Sequence, residues 1–184
     1  MNIMHPYAAI DHQMQVRILI ATCVMTTVLM FCLITLDKAL RTKTAPQGII
    51  SFELIHSPEQ AATILAEWGP RGRVVAGISL GLDFLFLVVY GNCLALACSL
   101  IADQIRPRSN RLANVGAVLA WGMLLAALLD AIEDFALIEV LLGSATSPWI
   151  QMACWSAVIK FCLLALGGLF IAGALLLRGI RRLQ

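Results

Sequence analysis

The chain has 184 residues, of which 60% are hydrophobic and only 13% charged, with a mean hydropathy of +0.88. Soluble domains carry about 25% charged residues, so the composition points away from a water-soluble class. The net charge of +2, from 13 basic and 11 acidic side chains, lacks the concentrated positive surface that nucleic acid requires. No nucleic-acid partner is expected.

Four apolar runs occupy most of the chain. The first, residues 18–36, reads "ILIATCVMTTVLMFCLITL". Crossing a hydrocarbon core about 30 Å thick takes about 20 helical residues, which this run supplies. It exceeds the apolar segment of a secretory signal peptide, and no small-x-small cleavage pattern follows in "ITLDKALRTK". It therefore reads as an uncleaved anchor. The remaining runs are residues 74–101, 112–142 and 149–177. All three exceed the minimum span, which implies tilt or extension beyond the lipid. The alternating short strands of an outer-membrane barrel are absent. The expected fold is all-α: a bundle of four transmembrane helices forming a single integral membrane domain over residues 1–184.

Basic residues beside the runs set an expected orientation. Arg17 precedes the first run, Arg106, Arg108 and Arg111 lie between the second and third, and Arg178, Arg181 and Arg182 close the chain. The loop "GSATSP" between the third and fourth runs has no basic residue. The positive-inside rule then places both termini in the cytoplasm. Lys38, Arg41, Lys43, Arg71 and Arg73 in the first loop run against that assignment.

The long first loop contains its own signals. In "SPEQAATILAEW", residues 57–68, Ser57 suits an N-cap, Pro58 the first helical position and Gln60 the capping-box position. Ala61, Ile64, Leu65 and Trp68 recur at helical spacing, predicting a short amphipathic helix that seals the outer end of the bundle. "GPRGR" is expected to end it. The preceding "GIISFEL" reads as a short extended or re-entrant piece, with Glu53 a weak candidate for function.

The third run carries the feature that needs explanation. "LLDAIEDFALIE", Leu128 to Glu139, holds Asp130, Glu133, Asp134 and Glu139. Gly122, Ala126, Asp130 and Asp134 recur every fourth residue, with Glu133 beside the last two, so small residues and acids share one face. Ionisable groups inside a membrane face protein or water rather than lipid. Glu139, near the helix end, fits the lipid interface. Helical rise from the assigned outer ends puts Asp134 about 12 Å, Asp83 about 14 Å, Lys160 about 17 Å and Asp130 about 18 Å inward. Matched depth makes these residues neighbours.

Their charges do not balance. Lys160 can offset one of Asp83, Asp130, Glu133 and Asp134, leaving the rest to shared protons, a cation or water. A structural lysine–acid pair is the plain alternative to a proton or cation site. Tyr90, two helical turns after Asp83, and Asn92 are supporting candidates. Gly77 and Gly81 form a GxxxG spacing that would admit a close helix.

Other chemistries have little support. Oxygen ligands could hold a hard divalent cation, yet no spaced calcium loop occurs, and neither a metal nor a cofactor can be named. His5, His12 and His56 lie outside the runs. Cys23, Cys32, Cys93, Cys98, Cys154 and Cys162 lie inside them without a CxxC pair and read as small buried hydrophobes. Walker, dinucleotide and HExxH motifs are missing. No catalytic residue stands out, and a non-enzymatic role is favoured. Trp68, Trp121, Trp149 and Trp155 suit anchoring within the bundle or in lipid.

"GIISFEL", "LDFLFLVVYG" and "LLDAIEDFAL", set among four hydrophobic helices, resemble a family of small, functionally uncharacterised bacterial inner-membrane proteins. The likeness spans most of residues 18–177. It implies a four-pass fold and a bacterial membrane location, and no reaction. The working expectation is an intramembrane binding or transport module, with an accessory subunit of a larger complex as the rival. Its partners would be the lipid bilayer and either further copies of itself or a larger membrane complex.

Overall fold

The computed structural model describes residues 3–182, with side chains as far as residue 177. Its helices are α1 (His12–Asp37), α2 (Ile49–Glu53), α3 (Pro58–Ile105), α4 (Asn110–Leu141) and α5 (Ser147–Arg182). All except α2 are long and apolar enough to cross a membrane. The described residues form an all-helical bundle, and the chain is a multi-pass membrane protein. The side chains of Arg178, Arg181 and Arg182, used above for orientation, lie outside the described residues.

The first helix begins at His12, six positions ahead of the apolar run, because Asp11 accepts hydrogen bonds from the amides of Gln13 and Met14. A carboxylate there satisfies amides that the helix itself leaves free. The third helix extends over 48 residues but is not one rod. Gly69, at φ 60° and ψ −169°, breaks it into a short N-terminal arm, called the outer arm for its place at the end of the bundle, and a long apolar arm. A left-handed φ suits glycine, and the following Pro70 cannot continue the hydrogen-bonding ladder backward. Helical structure resumes directly after Gly69, so "GPRGR" interrupts the helix for one residue rather than forming a loop. At the start of the outer arm Ser57 accepts from the Gln60 amide, while the Gln60 side chain accepts from the His56 amide. This resembles a capping box, with the return bond made to the amide one residue ahead of the N-cap.

The outer arm packs inward. Ala61, Ile64, Leu65 and Trp68 are buried with Phe52, Leu80, Leu137 and Ile150 in a core at the end of the bundle. The Trp68 indole donates to the Leu40 carbonyl at 2.7 Å, tying the arm to the first loop. Of the two forms expected for "GIISFEL", extended or re-entrant, the extended one is not adopted. Residues 49–53 are a helical turn, entered through Gly48 at φ 59° and capped by Asp37, whose carboxylate accepts from the Ile49 amide at 2.8 Å.

Packing divides the helices unequally. The pairs α3–α4 and α4–α5 share long interfaces, whereas α1 leans on α3 and, among the described residues, shares no extended interface with α5. In α1 only Gln15, Leu29 and Asp37 are buried. The close α3–α4 approach centres on Gly91, where an added Cβ would lie 2.6 Å from the Ala127 Cβ. The Gly77/Gly81 pair does not serve this purpose. A Cβ at Gly77 would make ordinary contact with Leu141, and one at Gly81 would meet nothing within 4 Å.

The opposite end is closed by the N-terminal segment. Tyr7 donates to Asn92 at 2.7 Å, His5 contacts Asp103 at 3.1 Å, and Trp121 donates to the Met4 carbonyl at 3.1 Å. Burial pushes the Tyr7 hydroxyl up to about 12, so it acts as a neutral donor.

Candidate functional site

Three buried acids enter from α4. Asp130, Glu133 and Asp134 project from its protein-facing side, and Ala126 one turn earlier is also buried. Phe135 and Leu128, on the opposite side, are exposed. The alternation follows directly from helical periodicity: acids three and four positions apart share a face, and the apolar residues between them meet lipid.

Lys160 of α5 faces this set. Its Nζ is 2.6 Å from Asp130 Oδ1, 2.8 Å from Glu133 Oε2 and 3.8 Å from Glu53 Oε2. The other Asp130 oxygen accepts from the Tyr90 hydroxyl at 2.7 Å. Asp130 therefore sits between a cation from α5 and a neutral donor from α3. Glu133 is at ion-pair distance from Lys160, although neither of its oxygens receives an aligned hydrogen bond among the described residues.

A second grouping shares Asp130. One oxygen from each of Asp83, Asp130 and Asp134 lies within 4.8 Å of the others. Asp134 is 1% exposed, and its Oδ2 has no hydrogen-bond partner among the described residues. Adjacent full charges out of water are costly, and shared protons or an oxygen-ligated cation would offset that cost.

Glu53, a weak candidate from sequence, belongs to the cluster. Its helical turn brings the carboxylate beside Lys160, and it is buried. Burial raises the Glu53 carboxyl above its ordinary range, against partial compensation by the Lys160 ammonium. Three carboxyl groups, of Glu53, Asp130 and Glu133, thus lie around one ammonium, and Asp83 and Asp134 adjoin them through Asp130. Asn92 stands apart: its oxygen accepts from Tyr7, and its amide donates to the Val88 carbonyl at 2.7 Å. Glu139 is half-buried and makes none of the cluster's contacts.

The cluster forms the polar end of a cavity of about 670 Å³ bounded by α1, α3, α5 and the first loop. Glu53, Asp83, Tyr90, Asp130 and Lys160 all reach its wall. Met30, Leu33, Phe86, Leu94, Phe161 and Leu164 supply apolar lining, while Asp37 and Arg41, joined by a 3.0 Å ion pair, stand at the loop side. Sequence reasoning missed this space, since it exists only because α1 and α5 stand apart. The cysteines depart from expectation as well. Cys93, Cys98 and Cys154 are buried, but Cys23, Cys32 and Cys162 are exposed on the helix surfaces.

No protein family, curated protein or solved structure matches the chain in comparisons of sequence and fold. The site's chemistry must therefore be argued from its own residues.

Proposed function

We propose that the protein is an intramembrane binding or transport module that uses Asp83, Asp130, Glu133, Asp134 and Lys160 for protons or cations. The observation that carries this reading is the access of Asp83 and Asp130 to a cavity beside an excess of buried acids. A structural lysine–acid pair would need only one carboxylate per ammonium. Further acids raise the desolvation cost unless protons or a cation compensate them.

An accessory subunit of a larger membrane complex is the competing role. It would call for a sealed polar cluster, whereas Asp83 is partly exposed and lines the cavity. The proposed setting is a bacterial inner membrane with both termini cytoplasmic, supported by the basic second loop and the uncharged "GSATSP" loop. Membership of the small four-helix family that the three sequence stretches resemble belongs to the same proposal.

Proteoliposome flux under opposed proton and cation gradients tests the function. Wild-type protein should give protein-dependent flux, and Asp83→Asn and Asp130→Asn should each reduce it while inserting normally. Absence of flux across a panel of monovalent and divalent cations and protons would remove the transport reading. Unchanged flux in both folded variants would remove the site.

A further inference from the structure

The charged cluster accounts for only one end of the cavity. The rest of its wall is built from apolar side chains of α1, α3 and α5, including Met30, Leu33, Phe86 and Leu164. A bare inorganic cation uses none of that surface. A volume of about 670 Å³ falls within the roughly 300–1,000 Å³ typical of small-molecule sites. Among the described residues α1 and α5 share no extended interface, which leaves the side between them open, on a chain whose outward α1 residues Val24, Val28 and Phe31 are exposed and apolar.

The polar end favours one sign of headgroup. Lys160 is already engaged by Asp130 and Glu133, and Arg41 by Asp37. An anionic head would therefore find no free cation among the cavity's described residues and would face Glu53, Asp83 and Asp130. An ammonium head finds the reverse. Asp83 is partly exposed on the wall, and its neighbour Asp134 has a buried oxygen with no hydrogen-bond partner among the described residues. An N–H-bearing cation offsets the excess of carboxylates and offers donors to Asp83, beside an Asp130 whose two oxygens already accept from Lys160 and Tyr90.

We propose that this cavity binds a lipophilic amine, its ammonium group at Asp83 and Asp130 and its apolar body along the Met30, Leu33, Phe86 and Leu164 wall, entering from lipid between α1 and α5. This rests on the cation-site reading of the acidic cluster and names the ligand class of that site. The apolar body contributes affinity by leaving water or headgroup contact, and the ammonium contributes selectivity.

The test uses full-length protein in phosphatidylcholine nanodiscs, with empty nanodiscs subtracting simple partitioning. Dodecylamine should bind saturably, and binding should strengthen from butylamine through octylamine more steeply than partitioning into empty discs. Asp83→Asn should weaken it at least about tenfold, the scale of one lost charged hydrogen bond. Met30→Trp, which fills the apolar end from a half-exposed position without touching a carboxylate, should weaken dodecylamine more than butylamine. Dodecanol and dodecanoate should not compete. Equal competition by either would overturn the headgroup assignment. If butylamine or sodium bound as tightly as dodecylamine, the apolar half would be wrong, and the cation site would stand without it. No saturable amine binding by protein that still carries protons or cations would reject this inference alone. Loss of both binding and flux would reject the underlying reading too. Should Met30→Trp fail to fold, the chain-length series on wild-type protein decides the matter.

Discussion

Lys160 and Asp130, thirty positions apart in the chain, meet with Nζ 2.6 Å from Oδ1. The opposite oxygen of the same carboxylate is held by Tyr90 at 2.7 Å. One side chain thus links α3, α4 and α5, and its removal should be felt as a loss of both packing and charge compensation.

Lys160→Met should destabilise the bundle by about 3–5 kcal/mol, because Asp130 and Glu133 lose their buried counter-charge. Thermal unfolding in detergent, followed by helical circular dichroism, measures this. Combining it with Asp130→Asn should recover part of the loss, giving a coupling energy outside the range of independent sites. Simple additivity of the two substitutions would show that the pair is not energetically joined.

Tyr90→Phe removes a donor while retaining the ring that packs 5.0 Å from Phe86. The expected cost is about 1.5–3 kcal/mol, the range for a hydrogen bond to a charged group. Under the proposed function, flux should also fall, since Asp130 loses one of the two groups that hold its carboxylate in place. Flux measured at a temperature where both proteins are fully folded separates this from a stability effect alone.

The glycines offer a contrast within one helix. Gly91→Ala should destabilise by about 1–3 kcal/mol, as its Cβ would stand 2.6 Å from that of Ala127 and force α3 from α4. Gly81→Ala, with nothing within 4 Å, should be neutral or slightly stabilising through helix propensity. Equal loss in the two variants would contradict the close approach at Gly91.

Glu53 should give the fold a pH dependence. Its carboxyl is raised in the folded state, chiefly by burial, so the folded protein holds a proton that the unfolded chain releases first. The stability contributed by that proton is complete below the ordinary carboxylate range and is lost as pH rises through the raised folded value. Glu53→Gln should therefore flatten the fall in melting temperature above that range. Identical pH profiles for variant and wild type would place the dependence on other groups.

Orientation can be checked with single cysteines introduced at Ser109 and Ser144 in a background whose native cysteines are replaced. The proposed topology has an impermeant thiol reagent label Ser144→Cys from outside and Ser109→Cys only after the membrane is opened. The reverse pattern would invert the bundle.

Much of this was legible without coordinates. Four apolar runs specify four helices because a bilayer-length segment must satisfy its backbone internally, and hydrophobic length is a local property. Ser57, Pro58 and Gln60 announced their helix start for the same reason: capping involves residues three apart. The acidic face of α4 followed from periodicity, and matched depth put Lys160 near Asp83, Asp130 and Asp134, while the structure selects Asp130 among them as its partner. Other features depend on contacts between distant segments, which periodicity does not encode. Glu53 joins the cluster because Gly48 and Asp37 turn residues 49–53 inward, and Asn92 is withdrawn from it by Tyr7, 85 positions away. The choice of Gly91 over Gly77 and Gly81 for close packing depends on which side of α3 meets Ala127. Above all, a sequence counts carboxylates but cannot enclose space. The cavity exists because α1 packs on α3 without closing against α5, a matter of tertiary contacts rather than of the composition of any one helix.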